Sequence, residues 1–162
     1  MFETGLGTII FSRRTPGGDI AVSAFVVDVF CLGVKNALFS VASEREYEDT
    51  IKLRITISLE DQRFENVHPS CARKIIEGAV DYARALGFSP HSDYHVAKAI
   101  FGDVIAGACP VQYTFGQEGK PMYVRGPYES ASQARKIAQQ LDKRCGKGNF
   151  HYIVPLDDGF SD

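Results

Sequence analysis

The sequence predicts an α+β fold, a single domain with an antiparallel or mixed sheet and about three helices packed on one face. Three observations lead there. Ile20 to Leu32, IAVSAFVVDVFCL, is an almost continuous β-branched and aromatic run, which fits a strand buried on both faces for much of its length. Ahead of it, Pro16-Gly17-Gly18-Asp19 has the chemistry of a hairpin turn, since proline presets φ and glycine accepts positive φ without steric cost. Farther on, two stretches repeat apolar residues at helical spacing between a capping residue and a glycine stop.

Taken in order, Thr8 to Thr15 reads as the first strand and Ile20 to Leu32 as the second, closed by Gly33. Val34 to Phe39 is too short a pattern to assign. Ser43 and Glu46 match a capping box, so a short helix is expected from about Glu44. From Ile51 to Leu59 the apolar residues alternate with Lys52, Arg54, Thr56 and Ser58, the period of a half-exposed strand, although the same cap can launch one long helix through them.

Pro69 suits a first helical turn, and Cys71, Ile75, Ile76, Ala79, Val80, Ala83 and Leu86 then mark one face up to Gly87. Gly78 in the middle points to close approach by another backbone. Ser92 is placed to cap a second helix, with Tyr94, Ala97, Ile100 and Phe101 inside and Gly102 at its end. The runs VQYTF and PMYV around Gly116 to Lys120 read as a second hairpin. Ser130 with Gln133 caps a third helix that ends at Gly146, and Phe150 to Val154 is a closing strand. Residues 1–155 thus form one domain and 156–162 an acidic tail, with no internal repeat.

Composition narrows the function classes. A net charge of -2 and a pI near 6.1 argue against a domain that grips duplex nucleic acid by neutralising its phosphates. No secretory leader and no apolar run of about 20 residues is seen, so a cytoplasmic protein without membrane contact is expected. Cys31, Cys71, Cys109 and Cys145 form no CxxC, and reduced, mostly buried thiols are expected of them. Dinucleotide, P-loop, nucleophile-elbow and HExxH motifs are all lacking.

The candidate chemistry lies in a few polar residues. Asp28, inside the greasy run, is either a catalytic or metal-binding carboxylate or an anchored one near a strand end that accepts hydrogen bonds from the backbone or from Arg13 or Arg14 of the paired strand. His91, Asp93 and His95 form HSDYH. On a helix only the two histidines share a face, whereas in a loop all three converge, and Asp103 or His68 would have to complete a site. Cys71, three residues after His68, is weighed as a nucleophile and as a packed small hydrophobe, and Cys31 as a second thiol. Finally, Arg13, Arg14, Lys35, Lys120 and Arg125, interleaved with Phe11, Tyr113, Phe115 and Tyr123, make either a stacking face for single-stranded nucleic acid or solvated strand edges.

VDVFCLGVKNALF at Val27 to Phe39, ARKIIEGAVDYARALGFSPHSDYHVAKAIFGD at Ala72 to Asp103 and the closing NFHYIV resemble a group of uncharacterised soluble bacterial proteins. The resemblance implies a bacterial single-domain protein and attaches no activity. Two functions are therefore expected in order: a non-enzymatic module binding a protein partner or single-stranded nucleic acid, with no cofactor, and, as the alternative, a metal-dependent hydrolase of nuclease-like kind. The second would use a divalent metal, Asp28, His91 and Asp93 as catalytic residues, and Asp28, His91, His95 and Asp103 as ligands.

Overall fold

The computed structural model describes residues 2–52 and 65–153. Strands β1 (Leu6–Arg14), β2 (Ile20–Asp28) and β3 (Gly33–Ala42) form an antiparallel sheet in that order, with Leu6 opposite Asp28 and Arg14 opposite Ile20. The turn expected at Pro16 to Asp19 is present: Gly18, at φ +94°, donates its amide to the Thr15 carbonyl at 3.0 Å. Val34 to Phe39, left unassigned by pattern, belongs to β3 and pairs with β2 except at Lys35, where the register shifts.

Strand β2 is shorter than its apolar run. It ends at Asp28, because the Asp28 carboxylate accepts the amides of Phe30, Cys31 and Leu32 at 2.9, 3.0 and 3.1 Å and turns the chain out of the ladder. A register shift between Val26 and Val27 precedes that turn. Gly33 then starts β3 at φ +68°, and a Cβ there would stand 2.9 Å from the Ala79 carbonyl oxygen. Strand and helix therefore approach closely only because this residue is glycine.

Ser43 makes its capping box with Glu46 over the single turn α1 (Glu44–Glu46), which widens into a π-type turn at Tyr47–Lys52. Beyond Lys52 the expected Ile51–Leu59 strand lies outside the described residues, as does the acidic tail. Helix α2 (Pro69–Ala85) begins at Pro69, and the His68 ring accepts the Ser70 amide as its N-cap. The expected face is buried, including Ile75, Ile76, Ala79, Val80 and Ala83. Gly78 meets a side chain instead of a backbone: a Cβ there would fall 2.5 Å from the Phe115 ring.

Helix α3 (Tyr94–Ala97) tightens into a 3₁₀ turn at Lys98–Phe101 before Gly102. Ser92 does not cap it, since Asp93 takes the N-cap position without a side-chain bond. The Ser23 hydroxyl on β2 donates to the Ala97 carbonyl at 2.9 Å, and Phe25 stacks on Phe101, so this segment covers the sheet beside α2. The inner sheet face, α2 and residues 94–101 enclose the larger core.

In the C-terminal part the strands form a pair of their own rather than joining the first sheet: β4 (Met122–Val124) runs parallel to β5 (His151–Ile153), connected by α4 (Ala131–Cys145). The expected second hairpin reduces to one bridge between Gln117 and Lys120. Its first run does not pair because Phe115 stacks on Tyr82 of α2 and the Gly116 amide is taken by the Val29 carbonyl. Ser130 and Gln133 make the expected capping box on α4. A smaller core of Cys31, Leu86, Tyr123, Ala134 and Leu141 lies under that helix.

Two of the four cysteines depart from expectation. Cys71 and Cys109 are joined in a disulfide, their Cα atoms 4.9 Å apart, because the first turn of α2 packs on the 3₁₀ turn at Ala106–Ala108. Cys71 is thus neither a free thiol nor a nucleophile, while Cys31 is free and buried and Cys145 free and half-buried. Among the described residues no helix is long and apolar enough to cross a membrane.

Candidate functional site

Asp28 is anchored rather than open. With its carboxylate spent on three backbone amides, it needs no arginine, and Arg13 and Arg14 go elsewhere: Arg13 to Asp103 at 2.6 Å and to the carbonyls of Ile100 and Phe101, Arg14 to Glu44 at 2.6 Å. Burial is the largest influence on the Asp28 carboxyl and pushes its pKa above the ordinary value, with the amides of Leu32, Phe30 and Cys31 pulling the other way.

The HSDYH segment sits where the chain turns into α3. The His91 amide donates to the Val34 carbonyl on β3 and its ring accepts the Asp93 amide at 3.2 Å, so both hold the turn. The Asp93 carboxylate lies 3.8 Å from the His91 ring nitrogen. His95 stands next in α3 with its ring tilted against Tyr94, and Asp103 is bound to Arg13. Only His91 and Asp93 are brought together: among the described residues no three His, Cys, Asp or Glu side chains converge to hold an ion.

The basic and aromatic set singled out on the hairpins is also divided. Phe11 and Tyr123 are buried, so neither has a face for stacking. Tyr113 and Phe115 line a half-open pocket of about 310 Å³ with Phe2, Phe30, Gln112 and Thr114. Lys35 pairs with Glu129 at 2.8 Å, and the other Glu129 oxygen accepts the Tyr123 hydroxyl at 2.5 Å and the Gly126 amide at 2.9 Å. This network fastens the start of α4 to the first sheet.

Glu129 and Asp28 respond to pH with opposite signs. For Glu129 burial raises the carboxyl, yet the Lys35 ammonium, the Tyr123 hydroxyl and the Gly126 amide more than offset it, and the folded pKa lies below the ordinary 4.5. Its contribution to stability is therefore present above pH 4.5 and lost as the pH falls through the folded value. The Asp28 contribution is complete below the ordinary 3.8 and declines as the pH rises through its raised folded value. Melting temperatures followed from pH 7 to pH 3 should show a shallower acid loss in Glu129→Gln than in the parent chain. The same scan should show a steeper one in Asp28→Asn. Parallel curves for all three would contradict both assignments.

A surface that the hairpin pattern did not single out emerges around α4. Between Lys120 and Ile153 the chain has seven Lys and Arg against two Asp and Glu, although its net charge is -2. One of those two acids, Glu129, is already paired with Lys35. Arg135, Lys136 and Lys143 are exposed along α4, and Lys147 is exposed in the turn after it. Lys136, Lys143 and Lys147 have no ion-pair partner among the described residues. Lys120 reaches the same turn, donating to the Gly148 carbonyl at 3.3 Å. The same segment carries two exposed rings: Tyr128, 98% exposed, precedes the Ser130 cap, and Tyr152, 39% exposed, has one face stacked on Tyr123 at 5.6 Å between ring centres. The signal that could have found this surface is charge counted by segment, because the acidic remainder hides it in the total.

The chain matches no known protein family, no curated protein and no solved structure.

Proposed function

We propose that this chain is a non-enzymatic binding module for single-stranded nucleic acid, held on the exposed face of α4 and the turn that follows. The observation that carries the reading is the segregation of charge: unpaired Lys136, Lys143 and Lys147 gather on one exposed surface of a chain that is acidic overall. Unpaired lysines attract phosphates by releasing counterions, and exposed rings such as Tyr128 and Tyr152 accept unstacked bases. Single strands suit this surface better than duplex, whose bases offer no open face for stacking. A bacterial setting belongs to the same proposal, whereas the Cys71–Cys109 disulfide counts against the cytoplasmic location expected from the sequence, because such bridges persist mainly in oxidising compartments.

Fluorescence anisotropy with a labelled 12-nucleotide single strand tests it. Three lysine contacts predict that log K falls against log salt with a slope of about -2. Replacing Lys136, Lys143 and Lys147 together by Gln should bring that slope toward zero, whereas Arg14→Gln on the opposite part of the molecule leaves it in place. Absence of binding at low salt, or a slope indifferent to the three lysines, rules the proposal out.

A further inference from the structure

We infer that the groove beside α4 holds one guanine base of the bound strand, an inference that rests on the nucleic-acid reading above. The groove is shallow and largely open to solvent, with a volume of about 340 Å³, and is lined by Ala138, Gln139 and Asp142 from the helix and by Lys147, Gly148 and Phe150 from the turn. Gly146 and Gly148, at φ +83° and +80°, bend the chain back along the helix to form its second wall. A Cβ on Gly148 would meet nothing within 4 Å, so that wall leaves room above it.

Its lining has the three chemistries that a nucleotide requires. The Phe150 ring and the Ala138 methyl offer apolar surface to the face of a base. Lys147 in the groove, with Lys143 one residue beyond Asp142, supplies positive charge for the adjoining phosphate, and this charge complementarity argues for a nucleic-acid occupant over an apolar one. Asp142 and Gln139 decide which base. Neither side chain has a hydrogen-bond or ion-pair partner among the described residues.

A carboxylate accepts two parallel hydrogen bonds, and of the four bases only guanine presents two adjacent donors, N1–H and N2–H₂, on its Watson–Crick edge. Adenine and cytosine place an acceptor beside their amino group, and uracil flanks its single N–H with two carbonyls. Gln139, one helical turn before Asp142, has an amide N–H₂ to donate to guanine O6.

Labelled (UG)₆ and (UA)₆ strands, compared by anisotropy at fixed low salt, test the assignment. Both contain purines, so stacking is matched and the base edge alone differs. The parent chain should bind (UG)₆ roughly tenfold more tightly. Asp142→Asn, which removes one of the two acceptors and is nearly the same size, should erase that ratio, and Gln139→Ala should reduce it. Phe150→Leu should weaken both strands and leave the ratio standing. Equal affinities of the parent chain for the two strands, or a ratio that survives Asp142→Asn, overturn the guanine site while the lysine-dependent binding stands. If neither strand binds, the nucleic-acid reading falls and the guanine site with it.

Discussion

Opening the Cys71–Cys109 bridge should destabilise the fold by roughly 4 kcal/mol, the chain entropy regained by the unfolded state at a sequence separation of 38. For a domain of this size that corresponds to a fall of roughly 8–16 °C in melting temperature. The folded state would keep most of its contacts at that place. Lys74 still reaches the carbonyls of Cys109 and Val111 at 3.1 and 2.7 Å, and Arg73 the carbonyl of Val104 at 2.6 Å. The loss therefore belongs mainly to the unfolded chain, and Cys71→Ala with Cys109→Ala should melt where the reduced parent chain melts. A thermal scan with and without reductant, with thiols counted in each sample, measures this. An unchanged melt in a sample that has gained two thiols would show that the bridge contributes nothing.

The second large effect is expected at Glu129. Removing it as Glu129→Ala strands the Lys35 ammonium and the buried Tyr123 hydroxyl together, since one carboxylate serves both. Breaking a buried pair costs about 3–5 kcal/mol, and because Lys35 and Glu129 keep 23% and 19% of their side chains open to water, about 2–3 kcal/mol is expected here. The damage should be local to the C-terminal part, since Tyr123 sits on β4 and Glu129 leads into α4. Hydrogen exchange should thus speed up across Met122–Ile153 more than across β1 and β2. Lys35→Met, which removes the charge but keeps the apolar stem, should cost less than Glu129→Ala. If the two cost the same, the tyrosine hydroxyl does not depend on Glu129.

Both effects come from contacts between residues far apart in the chain, and such contacts separate what pattern shows from what it hides. The α+β class, the turn at Pro16 to Asp19, the capping boxes at Ser43 and Ser130 and the buried face of α2 were all legible, each being settled within a few residues by φ preference, an unpaired amide or apolar spacing. The end of β2 was misread by composition. Val29 to Leu32 is as apolar as the strand before it, but the Asp28 carboxylate pulls three amides out of line, and hydropathy has no record of that bond. The candidate site was legible only in part. Asp28 and the HSDYH residues drew notice by being polar in apolar surroundings, a property that turn-forming residues share with ligands. The α4 surface contains no motif, and only its unbalanced charge marks it.

By itself the sequence determined the local pieces of this protein: where chains turn, where helices start and stop, and which face of each is apolar. Tertiary structure alone decided which charge meets which, that Cys71 meets Cys109, that β4 pairs with β5, and that Lys136, Lys143 and Lys147 are left without acids. The physical reason is distance. Backbone preference and hydrophobic period act over one or two turns, whereas an ion pair, a disulfide or a parallel ladder forms only after the whole path of the chain has brought its two halves within reach.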